Sequence, residues 1–240
     1  MSIKLSVIAL GITLAYGATA AMAANVATVD QNGTRNDAVI EQWSNENASA
    51  SITSYGNFND GFIEQERNNV ANATISAFGD FNDAVINQHN VNNANATIYQ
   101  AANAGDATIN QSGGWSYGHH HHHSSDGNNQ YAVINQNSGW GNVAWVTQTG
   151  DNTDAIINQS GYKNRAGVEQ EGGGNQYVTA RINQNGAFND GYVRQDGANL
   201  MATISQTGAK NDAIILQKGS GYTATVTQVG YANNAYVNQR

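Results

Sequence analysis

The sequence contains no cysteine and no proline, and both absences limit what the chain can be. Without cysteine there are no disulfide bonds and no thiolate ligands for a metal site. Without proline every residue keeps the backbone N–H that an interior β-strand needs for its hydrogen bonds. Charged residues make up only 12% of the chain, and long aliphatic runs are missing while Asn and Gln are abundant. A large conventional globular core is therefore not expected.

Basic residues are also scarce, and the formal net charge of the chain is −8. A protein that binds nucleic acid needs a basic surface to contact the phosphates. We therefore expect no nucleic-acid partner.

The first 23 residues have the organisation of a secretory signal peptide. Lys4 supplies the positive amino-terminal region, residues 5–14 form the apolar segment, and residues 21–23 (Ala-Met-Ala) are a small-x-small cleavage motif. The apolar stretch is too short for a transmembrane helix and is interrupted by glycine. We therefore predict export, cleavage directly after this motif, and a mature chain of residues 24–240.

A glutamine recurs along the mature sequence, most often at a spacing of eleven residues. It ends a five-residue run such as "AVIEQ" (38–42), "AVINQ" (84–88) or "ATISQ" (202–206). In these runs Ala, Ile or Val, and Gln alternate with variable residues, which is typical of a β-strand with one buried face. The eighteen marks, two of which are not glutamine, lie at Gln31, Gln42, Ser54, Gln65, Ala77, Gln88, Gln100, Gln111, Gln136, Gln148, Gln159, Gln170, Gln184, Gln195, Gln206, Gln217, Gln228 and Gln239.

Consecutive marks pair into nine units that each read approximately Q-x-G-x-x-N-x-A-x-x-x-Q. Within a unit the marks are eleven residues apart, except for twelve between Gln136 and Gln148, whereas between units the spacing varies from 11 to 25. One turn therefore has a fixed length and the other tolerates insertions. The repeat is a strand, a fixed turn, a second strand and a variable turn, about 22 residues in all. We predict an all-β fold, a β-solenoid of nine two-strand rungs that becomes cross-β when polymerised.

The alternation predicts which side chains face the interior of the solenoid. In the first unit Ala38, Ile40 and Gln42 should point inward, and Val39 and Glu41 outward. Stacked Gln and Asn side chains can form hydrogen-bonded ladders along the axis. The predicted ladders comprise the glutamines at the marks together with Asn36, Asn59, Asn82, Asn164, Asn189, Asn211 and Asn233. A turn that requires positive φ is predicted at Gly33, Gly56, Gly161, Gly186 and Gly208.

A single rung buries too little apolar surface to offset the entropy of ordering its chain, so stability must come from stacking. Soluble solenoids cover their terminal rungs with atypical caps, because an open rung exposes unpaired N–H and C=O groups. The first strand is expected to begin near Ala27, and the last unit runs to Gln239, so we expect no caps on the mature chain. One end of a molecule can then accept the other end of a second copy, which predicts a homopolymer fibre.

The units resemble the repeats of the curlin family, the subunits of curli amyloid fibres on bacterial surfaces. The family's Gln, Gly and Asn positions are matched by "QNGTRNDAVIEQ" (31–42), "QSGYKNRAGVEQ" (159–170), "QNGAFNDGYVRQ" (184–195), "QTGAKNDAIILQ" (206–217) and "QVGYANNAYVNQ" (228–239). The resemblance covers nearly the whole mature chain. It implies extracellular fibres with roles in biofilm matrix and adhesion. It also implies export through the periplasm and an outer-membrane channel, periplasmic accessory proteins, and nucleation by a minor subunit.

The sequence departs from the family pattern in three places. Ser54 and Ala77 replace glutamine, "QAANAGDATINQ" (100–111) lacks the Gly and the Asn, and no Gly-rich export segment precedes the first repeat. The recognition signal for export is therefore not identified. Regular rungs at both ends favour the major fibre subunit over the minor nucleator, whose final repeat in the family tends to be basic and irregular.

Residues 112–129 form the longest insertion in the variable turn and contain His119, His120, His121, His122 and His123. Neighbouring neutral imidazoles can bind Zn, Cu or Ni. A flexible surface loop or an engineered tag is the alternative interpretation, although five internal histidines do not favour a tag. No other cofactor is expected.

An aspartate follows the asparagine in five of the fixed turns, at Asp37, Asp60, Asp83, Asp190 and Asp212. A regular row of carboxylates does not favour a glycosidase pair, because a catalytic site is a unique constellation. The G-G-x-G-x-D pattern of calcium-binding β-rolls is absent. We interpret the row as gatekeepers, a column of like charge that slows premature assembly.

The main alternative function is a monomeric solenoid that binds a repetitive surface such as ice or a polysaccharide. That function needs a regular outward row, for example Thr-x-Thr, and the outward residues Val39, Glu41, Phe62 and Glu64 form no such row. An enzyme is not expected, because the sequence has no nucleophile motif, phosphate loop or metal triad outside the His run.

Overall fold

The chain folds as a β-solenoid, which confirms the fold class predicted from the repeat. A computed structural model describes residues 12–14, 25–113, 127–173 and 176–240, and within these ranges every regular element is a strand. Each of the nine units contributes its first strand to one parallel sheet and its second strand to another. The units therefore stack as nine rungs with two faces.

The first strands form sheet B and the second strands form sheet A. Sheet B contains, in order, β2 (Val26–Thr34), β4 (Asn47–Asn57), β6 (Val70–Phe78), β9 (Ala94–Gln100), β12 (Tyr131–Trp140), β14 (Thr153–Tyr162), β16 (Val178–Ala187), β18 (Leu200–Ala209) and β20 (Thr223–Tyr231). Sheet A contains β1 (Ile12–Leu14), β3 (Asp37–Trp43), β5 (Asp60–Glu66), β7 (Asp83–His89), β10 (Asp106–Ser112), β13 (Val143–Gly150), β15 (Arg165–Gly172), β17 (Asp190–Ala198), β19 (Asp212–Ser220) and β21 (Asn234–Gln239). Two short strands, β8 (Val91–Asn92) and β11 (Gly127–Asn128), pair with each other in the variable turns.

Equivalent residues of successive units lie opposite one another in both sheets. In sheet A, Gln42 pairs with Gln65 and Gln65 with Gln88. The same register continues through every strand pair to Gln217 and Gln239. Within the described ranges the register of the paired strands shifts once, at a bulge between Gln136 and Ser138 in β12, and this bulge accounts for the twelve-residue spacing of the fifth unit.

The hydrophobic core is a narrow layer between the two sheets. Alternate residues of the strands between the two terminal rungs are buried, and an isoleucine or valine stacks on the equivalent residue of the next rung, as Ile52, Ile75 and Ile98 do in sheet B. Small alanines at the neighbouring inward position let the two sheets approach closely. The period-two pattern of the sequence therefore determines the interior.

The fixed turn uses positive φ at two positions that are two residues apart. The five glycines for which positive φ is predicted have φ between 111° and 132°. Two residues later the backbone is again left-handed, although that position holds Arg35, Phe58 or Lys210, with φ of 56° to 58°. The turn is thus imposed by the stacking as well as by glycine.

Two features lie at the edges of the described ranges. β1, inside the predicted signal peptide, pairs in parallel with β3, with Ile12 opposite Ile40. The described residues contain no helix that is long and apolar enough to span a membrane. The His run (119–123) lies outside the described residues, whereas both flanks of the insertion stack on the preceding unit: Gly113 N donates to His89 O at 3.1 Å, and Gly127 pairs with Val91.

Candidate functional site: the ladders and the terminal rungs

An unbroken ladder of glutamine side chains runs through sheet A. The Nε2 of each glutamine donates to the Oε1 of the next, from Gln42 to Gln239, over distances of 2.6 to 3.0 Å. The second N–H of the amide donates to a backbone carbonyl of the opposite sheet, as Gln148 does to Tyr131 O at 2.8 Å. Each buried amide is therefore satisfied only when rungs are stacked above and below it.

The ladder of sheet B is interrupted where Ser54 and Ala77 replace glutamine. It runs from Gln100 through Gln136, Gln159, Gln184 and Gln206 to Gln228 with distances of 2.8 to 3.1 Å. At the interruption three buried atoms have no hydrogen-bond partner among the described residues: Gln31 Nε2, Ser54 Oγ and Gln100 Oε1. The departure from the repeat thus has a local energetic cost.

Asparagines form a third ladder at the fixed turn. The Oδ1 of each accepts from the backbone N–H of the next, as Asn189 Oδ1 does from Asn211 N at 3.1 Å, while Nδ2 of Asn189 donates to Gly208 O at 3.1 Å. All seven asparagines predicted from the sequence take part in this ladder. In the fourth unit the equivalent residue is Gly105, which has no side chain and contributes only its backbone N–H, donated to Asn82 Oδ1. Asn142, which sequence reasoning missed because of the bulge, fills the fifth unit and bonds to Asn164.

A short ladder in the variable turn was also missed. Asn45 and Asn68 are buried, and Asn45 Oδ1 accepts from Asn68 N at 2.8 Å. Their Nδ2 atoms donate to Gln65 O and Gln88 O at 2.8 and 3.0 Å. An asparagine three residues after the second glutamine of the first two units is the signal that could have identified this ladder.

Carboxylates stack along the start of sheet A. Asp37, Asp60, Asp83 and Asp106 lie opposite one another in consecutive strands, so Asp106 extends the row by one residue that the Asn-Asp pattern missed. Val143 and Arg165 interrupt the column before it resumes at Asp190 and Asp212, and Arg165 Nη1 lies 3.9 Å from Asp190 Oδ2.

The environment of this column raises the pKa of three of its carboxyl groups, those of Asp60, Asp83 and Asp190. Burial raises the pKa of Asp60 and Asp83, and the neighbouring carboxylates raise it further. Burial also raises the pKa of Asp190, where Arg165 acts in the opposite direction. The column is therefore a place where protonation favours stacking.

The two ends of the stack have complementary hydrogen-bonding groups. At the last rung Gln239 Nε2 donates only to Thr223 O, and at the first rung Gln42 Oε1 accepts from none of the described residues. Gln228 Nε2 likewise donates only to Asp212 O. Asn233 Oδ1 has no donor among the described residues, and the N–H of Asn36 has no acceptor there.

The described residues hold no cluster of three His, Asp or Glu side chains that could bind a metal ion. At the ends of β7 and β5, His89 Nε2 lies 3.0 Å from Glu66 Oε2.

A known family model matches the repeat of this chain. The family model described as the curlin associated repeat matches residues 150–176, 179–208 and 199–230. No curated protein matches the chain. Each matched segment includes a first strand of the solenoid with its fixed turn or its partner strand, so sequence and structure agree on the repeating unit. The matched segments show that the chain contains curlin associated repeats, which stack as rungs of the solenoid.

Proposed function

We propose that the chain is the major structural subunit of an extracellular curli-type amyloid fibre, formed by stacking the last rung of one copy on the first rung of another. The observation that carries this proposal is the complementarity of the two ends. Gln239 Nε2 can donate to Gln42 Oε1 of a second copy, and Asn233 Oδ1 can accept from its Asn36 N–H. Each ladder would then continue across the junction with the polarity that it has inside the molecule.

The proposal includes the route by which the fibre is made. Removal of residues 1–23 would free the β3 edge on which β1 lies. Export through the periplasm and an outer-membrane channel, accessory proteins and a nucleator subunit are proposed from the family alone. The major role, rather than that of nucleator, is supported by β21, which pairs with β19 in full register up to Gln239. Biofilm matrix and adhesion are the proposed roles of the fibre, and no catalytic activity is proposed.

The test uses the mature chain, residues 24–240, freshly desalted and followed by thioflavin T fluorescence with and without preformed seeds. We expect seeds to abolish the lag, and fibre diffraction of the product to give a reflection near 4.8 Å. A stable β-rich monomer that never elongates seeds would contradict the proposal.

The column of aspartates (Asp37, Asp60, Asp83, Asp190 and Asp212) is proposed to delay assembly before export. Like charges at the spacing of adjacent strands repel each other, and this repulsion grows with every added rung.

A metal site in the His run is proposed separately. Zn or Cu affinity should fall when His119 to His123 are all replaced by Ser, measured by calorimetric titration of the mature chain. Equal affinity of the two chains would exclude the site.

A further inference from the structure

The two faces of the solenoid differ in charge. Each strand has three outward positions, and equivalent positions lie opposite each other in successive rungs. In the first rung these positions are Asp37, Val39 and Glu41 in sheet A, and Val26, Thr28 and Asp30 in sheet B. Over nine rungs the sheet A positions hold nine carboxylates and two guanidinium groups, a net charge of −7. The sheet B positions hold Asp30, Asp154 and Arg181, a net charge of −1.

The sheet B positions are dominated by short uncharged polar side chains. Of the 27 positions, 18 hold Ser, Thr or Asn. Amide ladders order part of this surface, with Asn135 Nδ2 donating to Asn158 Oδ1 at 2.9 Å and Asn158 Nδ2 to Asn183 Oδ1 at 2.8 Å. The regular polar row that is absent from sheet A is therefore present on sheet B.

An apolar patch lies in the middle of this surface. Val133 of the fifth rung and Ile156 of the sixth point outward opposite each other, and Tyr131 beside them is 44% exposed. A polar surface with a small apolar centre is the arrangement found in specific protein interfaces.

We propose that the outer face of sheet B is the lateral interface between two stacked fibres, with the sheet B face of a second copy as its occupant. The inference rests on the proposed fibre function. Nine strands about 4.8 Å apart and some seven residues wide give a face of roughly 1,000 Å² per copy, which is comparable to the about 800 Å² per partner of a stable interface. Sheet A cannot pair with itself as readily, because two faces of charge −7 would meet.

The period of the surface favours a second copy over a polysaccharide. Two fibres share one repeat along their axes, so each polar row of one meets the same environment at every rung of the other. Paired sheets of short Ser, Thr and Asn side chains can approach to about 10 Å and interdigitate, as in a dry zipper. A polymer with a different repeat would lose this match after a few rungs.

The experiment adds charge to one face at a time. Ser51→Asp, Thr97→Asp and Thr203→Asp together place three carboxylates on sheet B in rungs that are not adjacent. The matched control, Val39→Asp, Thr108→Asp and Ile214→Asp, adds the same charge to non-adjacent rungs of sheet A. Mass per length by scanning transmission electron microscopy and the cross-sectional radius by X-ray scattering are measured on seeded fibres.

We expect wild-type and control fibres to have two copies per nine-rung length and the sheet B variant to have one. Fibres of the sheet B variant should regain the doubled mass per length when mixed with separately grown fibres that carry Lys at the same three positions. Wild-type fibres of single mass per length, or an unchanged doubled value in the sheet B variant, would overturn the inference. Single wild-type fibres that bind a neutral polysaccharide through sheet B would replace it by the surface-binding function. If no fibres form at all, it is the proposed function that fails.

Discussion

Gly186 shows at the scale of a residue how closely the rungs of the fixed turn stack. A Cβ at this position would lie 1.9 Å from Gly208 O in the next rung. We expect Gly186→Ala to lower the free energy of unfolding by about 3 kcal/mol or more, because the methyl group forces the rungs apart and the φ of 129° is strained for alanine. The guanidinium concentration that dissolves seeded fibres measures the effect.

Gly219→Ala is the matched control for this prediction. Its φ of 123° is equally unsuited to alanine, but the nearest atom to its Cβ is a ring carbon of Tyr222 at 3.2 Å, and that side chain can move. The control should therefore lose about 1 to 2 kcal/mol through backbone strain alone. Equal losses in the two variants would show that the clash between rungs is not the cause.

The break in the sheet B ladder gives a stabilising prediction. In Ser54→Gln/Ala77→Gln the new amides should donate up the column, supply the donor that Gln100 Oε1 lacks, and give Gln31 Nε2 an acceptor. We expect a gain of about 1 to 3 kcal/mol, because each buried polar group that acquires a partner no longer carries its desolvation cost.

The stability of this double variant is measured in the same way, by the guanidinium concentration at which seeded fibres dissolve. Ser54→Ala/Ala77→Ser is a suitable control, since it changes both positions without extending the ladder. A midpoint below that of the wild type would show that neighbouring side chains have already filled the space of the missing amides.

The ladder residues could be predicted from the sequence because the rungs stack in register. Residues at a constant spacing in the sequence therefore contact each other in successive rungs. Asn142 was missed because one inserted residue, Asn137, moves it out of the counted position while the bulge restores its place in space. The left-handed φ of Phe58 could not be predicted from residue preference, because stacking imposes it on an unfavourable residue. The repeat period therefore fails to predict structure at local insertions and at positions of backbone strain.

At the scale of the strand, the aspartate column predicts how assembly depends on pH. The pKa values of Asp60 and Asp83 are raised in the folded chain, so the stacked state binds protons more strongly than the disordered chain, in which aspartate titrates near 3.9. Stability therefore falls as pH rises through the window between about 3.9 and the raised values, and is regained on acidification. Seeded elongation should be faster at about pH 4 to 5 than at pH 7.

Asp60→Asn/Asp83→Asn should reduce this dependence and speed elongation at pH 7, since each opposed pair of like charges costs about 0.2 to 1 kcal/mol. Glu46→Gln/Glu171→Gln removes two exposed carboxylates outside the column and controls for net charge. If both double variants changed the pH profile equally, the effect would belong to total charge and the gatekeeper interpretation of the column would be wrong.

The strands of the variable turn were less predictable than those of the repeat. β11 pairs with β8 and holds one flank of the longest insertion in register, and Asn45 and Asn68 are buried in the variable turns of the first two units. Such a turn has no constant spacing, so its contacts depend on which backbone groups the neighbouring rungs leave unpaired. Asp106 was missed for the related reason that Gly105 replaces the asparagine of the pattern.

At the scale of the whole molecule, charge is distributed unevenly along the axis. Residues 26–112 hold ten carboxylates and two basic side chains, whereas residues 127–240 hold seven of each. Stacking the last rung on the first therefore brings a neutral half against an acidic one, while joining two first rungs would bring two acidic halves together. Charge and ladder polarity favour the same direction of growth.

Gly230, the glycine in the fixed turn of the last rung, provides a variant that should stop fibre growth at one end only. A Cβ at Gly230 has no contact closer than 3.5 Å, to Asn233 Nδ2, whereas at Gly208 it would lie 2.0 Å from Gly230 O. In Gly230→Ala the methyl group would meet Gly33 O of the next copy, so the variant should add to a fibre and then block further addition. We expect a few per cent of it to slow seeded wild-type elongation severalfold. Gly219→Ala, with a similar φ, should not slow it at that dose. Inhibition only in proportion to its share of the monomer would contradict end-to-end stacking in this direction.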